Sequence, residues 1–248
     1  MYHRSSRGPG AGPTNRPATS SAVSSTHANQ SIIHGPIPPK ETIKKFPQLL
    51  SPYEKTEILK YPEIYYIGKA GKKEIRLGSE YHFDLPTHHY RIIIGDHIGY
   101  RYEIRSLLGQ GTFGQVLNCW DHKENKQVAV KVMINTPEIH EQGAIEIDHL
   151  KRLVGPNNYI LQLLDSFTFR NHLCAVFDVL GQNLYDYTKA MKVKKINPIL
   201  LKKIAKQVLI ALDYFFLFSN RTAMYKYVNV HEPYNLFVSF EDILELIE

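Results

Sequence analysis

Six residues, Gly109-Gln110-Gly111-Thr112-Phe113-Gly114, form a G-x-G-x-x-G run. Glycines at that spacing let backbone amides lie close to an anionic group such as a phosphate. By itself the run fits more than one phosphate-binding fold. The dinucleotide-binding version requires a helix straight after the third glycine and an acid about 20 residues on. Here Val116-Leu117-Asn118-Cys119-Trp120 follows instead and reads as a strand. After the polar run His122-Lys123-Glu124-Asn125-Lys126 a second strand carries Val128-Ala129-Val130-Lys131. A lysine on the strand after a glycine loop brings positive charge to the phosphates. That lysine needs an anionic partner, and both Glu141 and Glu146 fall inside the next predicted helix. Glu146 stands between Ile145 and Ile147, so amphipathicity does not choose between the two.

The elements that must position these groups follow from local patterning. Ser51-Pro52-Tyr53-Glu54 is a helix start, with serine as cap and glutamate three residues on completing a capping box. Pro62 disfavours a helical Tyr61, which ends that helix near Lys60. Glu63 to Ile67 then reads as a strand closed by Gly68, with a further break over Gly71 to Gly78. Arg91 to Ile94 and Tyr102 to Leu108 are strand-like around a Gly95-Asp96 turn. Gln115 to Asp121 and Gln127 to Ile134 pair as a hairpin, and Glu138 to Leu153 is helical. Ile160 to Phe169 and His172 to Asp178 form another hairpin around Arg170-Asn171. Helices follow at Leu184 to Lys192 and Pro198 to Phe218. A meander with one inserted helix is an α+β arrangement.

Composition narrows the class. The chain has 248 residues, 43% of them hydrophobic and 22% charged, with a net charge of +6. Those values suit a globular domain and do not by themselves point to nucleic acid. With only Cys119 and Cys174 there is no disulfide framework, and a reducing compartment is expected. No apolar signal region follows the first residues, and the stretch around Val208 to Phe218 is interrupted by Asp213 and too short to span a bilayer. These features predict an intracellular protein, in cytoplasm or nucleus, with no membrane contact. Residues 1–45, rich in Ser, Gly and Pro, read as a disordered tail. His82, His88, His89 and His97 fit no zinc spacing. The lysines at 189, 192, 194, 195, 202 and 203 read as a solvated face, with nuclear import or docking of an acidic substrate as the minority reading.

The glycine loop on a hairpin, followed by a lysine strand, is the protein kinase arrangement. The finer resemblance is to the DYRK protein kinases. It rests on Tyr100-Arg101-Tyr102-Glu103-Ile104, Phe113-Gly114-Gln115-Val116, Asp121-His122-Lys123, Ala144-Ile145-Glu146-Ile147, Phe167 to His172 and Gly181-Gln182-Asn183-Leu184-Tyr185-Asp186. Ser51 to Tyr65 resembles the accessory region of the class II branch, which in that branch assists autophosphorylation of an activation-loop tyrosine. The resemblance covers Leu50 to Leu212. It implies a kinase small lobe, an antiparallel sheet plus one helix, over residues 100–180. An accessory region at 46–99 precedes it, the first helices of an incomplete large lobe follow at 181–218, and a divergent tail occupies 219–248.

The resemblance further implies a site. Leu108, Gly109, Gln110, Gly111, Thr112, Phe113, Gly114 and Gln115 would cover ATP, with Val116 and Ala129 over the adenine. Lys131 would pair with Glu146, and Phe177 would be the gatekeeper. Asp178, Val179 and Leu180 would form the hinge, and Asn183 would lie near the ribose. The complete family member uses ATP with Mg2+ and phosphorylates Ser, Thr and Tyr on protein substrates, with no nucleic acid involved. The expected His-Cys-Asp-Leu-Lys-Pro-Glu-Asn catalytic loop, Asp-Phe-Gly and Ala-Pro-Glu are not found after Leu212. A chain without them lacks the catalytic base and the magnesium ligands, so the expectation is an inactive, truncated or mis-spliced product with no metal site. The helix at Pro198 to Phe218, apolar nearly all round, would then need a covering partner.

Overall fold

A computed structural model of the chain describes residues 35–68, 75–77, 80–153, 159–181, 184–190, 196–218, 228–230 and 236–238. Helix α1 (Pro39–Lys45) starts with proline at its first turn and carries a Glu41–Lys45 ion pair one turn apart. It lies inside the range that composition assigned to a tail. Local helix signals and burial of Thr42 outweigh the polar bias there.

The capping box forms in both directions. Glu54 N–H donates to Ser51 Oγ at 3.2 Å, and Ser51 N–H donates to Glu54 Oε2 at 3.0 Å. Helix α2 (Glu54–Glu57) tightens into a 3-10 turn at Ile58–Lys60 and stops at an extended Tyr61, just before Pro62. Glu63 to Ile67 is not a strand: only Ile64 bridges, to Ile37. Its neighbours bond elsewhere, with Tyr65 and Tyr66 N–H both directed at the Tyr100 carbonyl. Arg91 to Ile94 is likewise irregular, because Tyr90 bridges back to Asp84 in a tight turn. Strand β1 (Ile75–Leu77), inside the stretch read as a break, pairs with β2 (Glu80–His82) just beyond it.

The main sheet has six strands in the order β3 (His97–Ile98), β4 (Tyr102–Gly111), β5 (Gly114–Asp121), β6 (Lys126–Met133), β8 (His172–Asp178) and β7 (Leu163–Phe169), all antiparallel. The β7–β8 turn places Arg170 and Asn171 both at positive φ, the conformation that matches strand twist in a two-residue hairpin. Helix α3 (Pro137–Arg152) enters between β6 and β7, capped by Thr136, whose hydroxyl accepts from Ile139 N–H.

Strand alternation divides this sheet into two apolar faces. Val128, Val130 and Val132 of β6, with Cys174 and Val176 of β8, pack with Phe83, Tyr90 and Phe169 on one face. Ala129, Met133, Ala175 and Phe177 pack with Ile147 and Leu150 of α3 and with Leu153 just past its end on the other. Lys131 belongs by period to that second face, which turns it towards α3. Both cysteines are buried free thiols, and burial pushes their pKa values up.

Beyond the sheet lie α4 (Leu184–Ala190) and α5 (Pro198–Phe218). Ile204, Val208 and Ala211 bury a stripe of α5 in the α3 core, while Ile199 and Leu209 stay 70% and 65% exposed. Over residues 198–213, α5 buries one stripe rather than several sides. The range read as a divergent tail contains the antiparallel pair β9 (Val228–Val230) and β10 (Leu236–Val238). No helix among the described residues is long and apolar enough to cross a membrane.

Candidate nucleotide site

The glycine loop is the turn between β4 and β5. Gly109 pairs with Val116 and Gly111 with Gly114, so the turn is only Thr112 and Phe113. A side chain at Gly109 or Gly111 would meet open space, so these glycines leave the approach to the backbone clear. Gly114 is different. Its φ is +148°, and a Cβ there would collide with the Val132 carbonyl and the Met133 backbone. Glycine is therefore required where β5 crosses β6. Leu108, Gln110, Thr112 and Phe113 are exposed, whereas Gln115 is buried and donates to Gln110 Oε1 at 3.2 Å.

Beneath the loop, Lys131 Nζ donates to Glu146 Oε1 at 2.6 Å. The two side chains remain 15% and 19% exposed. Glu141 is exposed one and a half turns earlier on α3, so the helix register turns Glu146 to the sheet. Ala129 pairs with Phe177 across β6 and β8, and Val116 pairs with Lys131 across β5 and β6. Val116, Ala129, Phe177 and Val179 thus share one apolar layer with α3. Asp178, at the end of β8, is exposed and pairs with Lys126 at 2.8 Å. Val179 and Leu180 are partly buried and non-helical, and Asn183 lies outside the described residues. The arrangement supplies an apolar slot for a flat ring, two non-helical residues at its rim, an open glycine turn and one cation held by a carboxylate. That set fits a purine nucleotide bound through ring and phosphates.

Magnesium has no comparable set. Among the described residues the one group of three metal-competent side chains is Glu54, Asp96 and His97. It lies in the segment before β4, and Arg170 Nη2 already sits 3.2 Å from Glu54 Oε1. That group does not fit the metal of a nucleotide cleft.

Sequence reading missed a second polar assembly. Arg170, buried at the β7–β8 turn, donates to both Glu57 oxygens, to Glu54 Oε1 and to the Tyr90 hydroxyl. Tyr100 donates to Glu57 Oε2 at 2.8 Å, and burial pushes the Tyr100 pKa far up, with Glu57 and Glu54 adding to the effect. The Arg170 and Glu54 side chains are fully buried. The available signal was two acids one turn apart, at 54 and 57, on a helix just read as capped.

The protein kinase domain family matches residues 102–225, half of the chain, and so runs past Leu212. Human dual specificity tyrosine-phosphorylation-regulated kinase 3 is 38% identical over 186 residues, covering 72% of this chain and 32% of its own length. The Caenorhabditis briggsae dual specificity tyrosine-phosphorylation-regulated kinase mbk-2 is 36% identical over 182 residues, covering 71% and 22%. Human dual specificity tyrosine-phosphorylation-regulated kinase 4 is 39% identical over 156 residues, covering 60% and 30%. The chain spans about a third or less of the length of these curated relatives.

Proposed function

Since the chain belongs to the protein kinase family, and within it to the DYRK type, we propose that residues 100–180 are the ATP-holding small lobe of a kinase that phosphorylates protein hydroxyl groups. The observation that carries this reading is the 2.6 Å contact between Lys131 and Glu146. A lysine fixed by a carboxylate beneath an open glycine turn is placed to neutralise phosphate charge, which is most of what phosphoryl transfer asks of a protein. Val116 and Ala129 would cover the adenine, with Phe177 as gatekeeper behind it, and the backbone of Asp178, Val179 and Leu180 would bond its edge. Dual specificity towards Ser/Thr and Tyr is the finer reading that the relatives' names support. Magnesium would be supplied with the nucleotide, as in the complete family member; no set among the described residues fits it.

A second reading, nucleotide binding without transfer, is favoured by one sequence observation. The expected loop ends Pro-Glu-Asn, and Pro233-Tyr234-Asn235 reproduces its proline and asparagine between β9 and β10. That alignment puts Val230 where the loop has its aspartate. Valine cannot orient a substrate hydroxyl.

Calorimetric titration with an ATP analogue tests the shared part. Binding by the 248-residue chain that is lost in Lys131→Ala supports both readings, and equal binding by both proteins refutes them. Radiolabel transfer to a protein substrate then separates the two. Label that disappears in Lys131→Ala favours the kinase, and binding without label favours the second reading.

A further inference from the structure

The turn between Asp84 and Tyr90 lies before the kinase-family match, yet it touches both the glycine loop and the residue that precedes the α3 cap. At one end His89 Nε2 is 3.3 Å from the Gly111 carbonyl, in the glycine loop. Its other nitrogen, Nδ1, is 3.0 Å from the Thr87 hydroxyl. A carbonyl only accepts, so Nε2 carries the hydrogen and the threonine hydroxyl donates to Nδ1, which fixes the ring. At the other end Asp84 Oδ2 accepts from Asn135 Nδ2 at 2.7 Å, and Asn135 N–H donates to the His88 carbonyl at 3.0 Å. Asn135 immediately precedes Thr136, the cap of α3. Buried His172 completes this end, its Nε2 2.9 Å from Asp84 Oδ1 and its Nδ1 2.7 Å from the Met133 carbonyl. The turn itself is closed by Leu85 N–H to the His89 carbonyl and by the Asp84–Tyr90 bridge, so the two ends are held at a set separation.

We propose that the 84–90 turn is a clamp that spaces the glycine loop from helix α3, with His89 as its positioning residue. The inference rests on the ATP reading above. The glycine loop is otherwise anchored near its tip by Ile134 N–H to the Phe113 carbonyl, which holds its far side. His89 holds the near side, at the residue where the chain turns over the phosphates. With α3 pinned through Asn135, the loop carrying the phosphate amides and the helix carrying Glu146 keep one distance, and Lys131 lies between them. His89 touches no nucleotide in this arrangement. Its contribution is to pre-order the loop, and so to lower the ordering cost of phosphate binding and leave adenine binding alone.

The test uses the 248-residue chain and three variants, His89→Ala, His89→Gln and Lys131→Ala, each titrated with adenosine and with a non-hydrolysable ATP analogue. His89 is partly exposed on a turn held by main-chain bonds, so its replacement leaves the fold in place. The clamp predicts that His89→Ala binds the ATP analogue about fivefold more weakly, the effect of one hydrogen bond, with adenosine affinity unchanged. His89→Gln, whose amide can donate to the Gly111 carbonyl, regains most of the loss. If His89→Ala binds the analogue as tightly as the parent while Lys131→Ala does not, the clamp is wrong and the ATP site stands. Equal losses for adenosine and analogue also overturn it, since they mark a general structural role. If Lys131→Ala binds as the parent does, the phosphate cradle falls first, and the clamp with it.

Discussion

Two ion pairs tie elements to the same sheet, and they are built for different purposes. Lys131 and Glu146 meet at 2.6 Å, keep 15% and 19% of their surface, and join β6 to a helix. The Arg170, Glu54 and Glu57 side chains are 0%, 0% and 6% exposed, and every guanidinium nitrogen donates a hydrogen bond. A buried pair costs heavily if either partner is removed, because the other is left charged and unsolvated. A pair that keeps some contact with solvent costs less, since water can reach the partner left behind. The first arrangement keeps its cation in contact with solvent, while the second fastens the segment before β4 onto the β7–β8 turn. That segment reaches the glycine loop through His89, so the fastening bears on the site.

The comparison breaks most visibly at Arg170. Arg170→Ala should destabilise the chain by about 3 to 5 kcal/mol, read by urea titration, because Glu54 and Glu57 stay buried without their cation. A loss below about 1 kcal/mol, the scale of an exposed pair, would show that water reaches those carboxylates. Gly114→Ala ranks next, at about 1 to 3 kcal/mol, from its positive φ and the collision with Val132. Thermal melting of that variant checks it, and an unchanged midpoint would mean β5 can shift off β6.

These two sites differ in how far the sequence announced them. Gly114, Lys131 and the helix carrying Glu146 are close along the chain, so spacing and strand alternation were enough to place them. The capping box at Ser51 and the α5 bounds at Pro198 and Phe218 were local too, and they form as read. The Arg170 network was not legible, because Arg170 and Glu57 are 113 residues apart and nothing local says they meet. Glu63 to Ile67 misled for a related reason. Its apolar content suits a strand, but those side chains pack with Leu50, Ile58 and Tyr100, and their amides bond outside any ladder. The pair β9–β10 escaped notice because the search was for an intact catalytic string, and a proline-asparagine remnant does not form one.

Smaller effects sharpen the same contrast. Ser51→Ala removes the cap that sets Glu54 and Glu57 at the start of α2, and should cost about 1 kcal/mol in the same urea titration. Cap loss combined with Arg170→Ala should cost less than the sum of the two, since both act on one assembly. Strict additivity would separate the cap from the network. Lys131→Ala should cost less stability than Arg170→Ala in melting, since its pair is not fully buried; an equal loss would remove the contrast.

The most direct test of the ATP site is hydrogen exchange across Gly109 to Lys131, with and without a non-hydrolysable ATP analogue, in the parent chain and in Lys131→Ala. Phosphates lying on the glycine turn, with Lys131 beneath, should slow exchange at Gly111 to Gln115 in the parent and leave the variant unprotected. Equal protection in the two proteins, or none in either, would contradict the assignment of this turn and this lysine to a nucleotide.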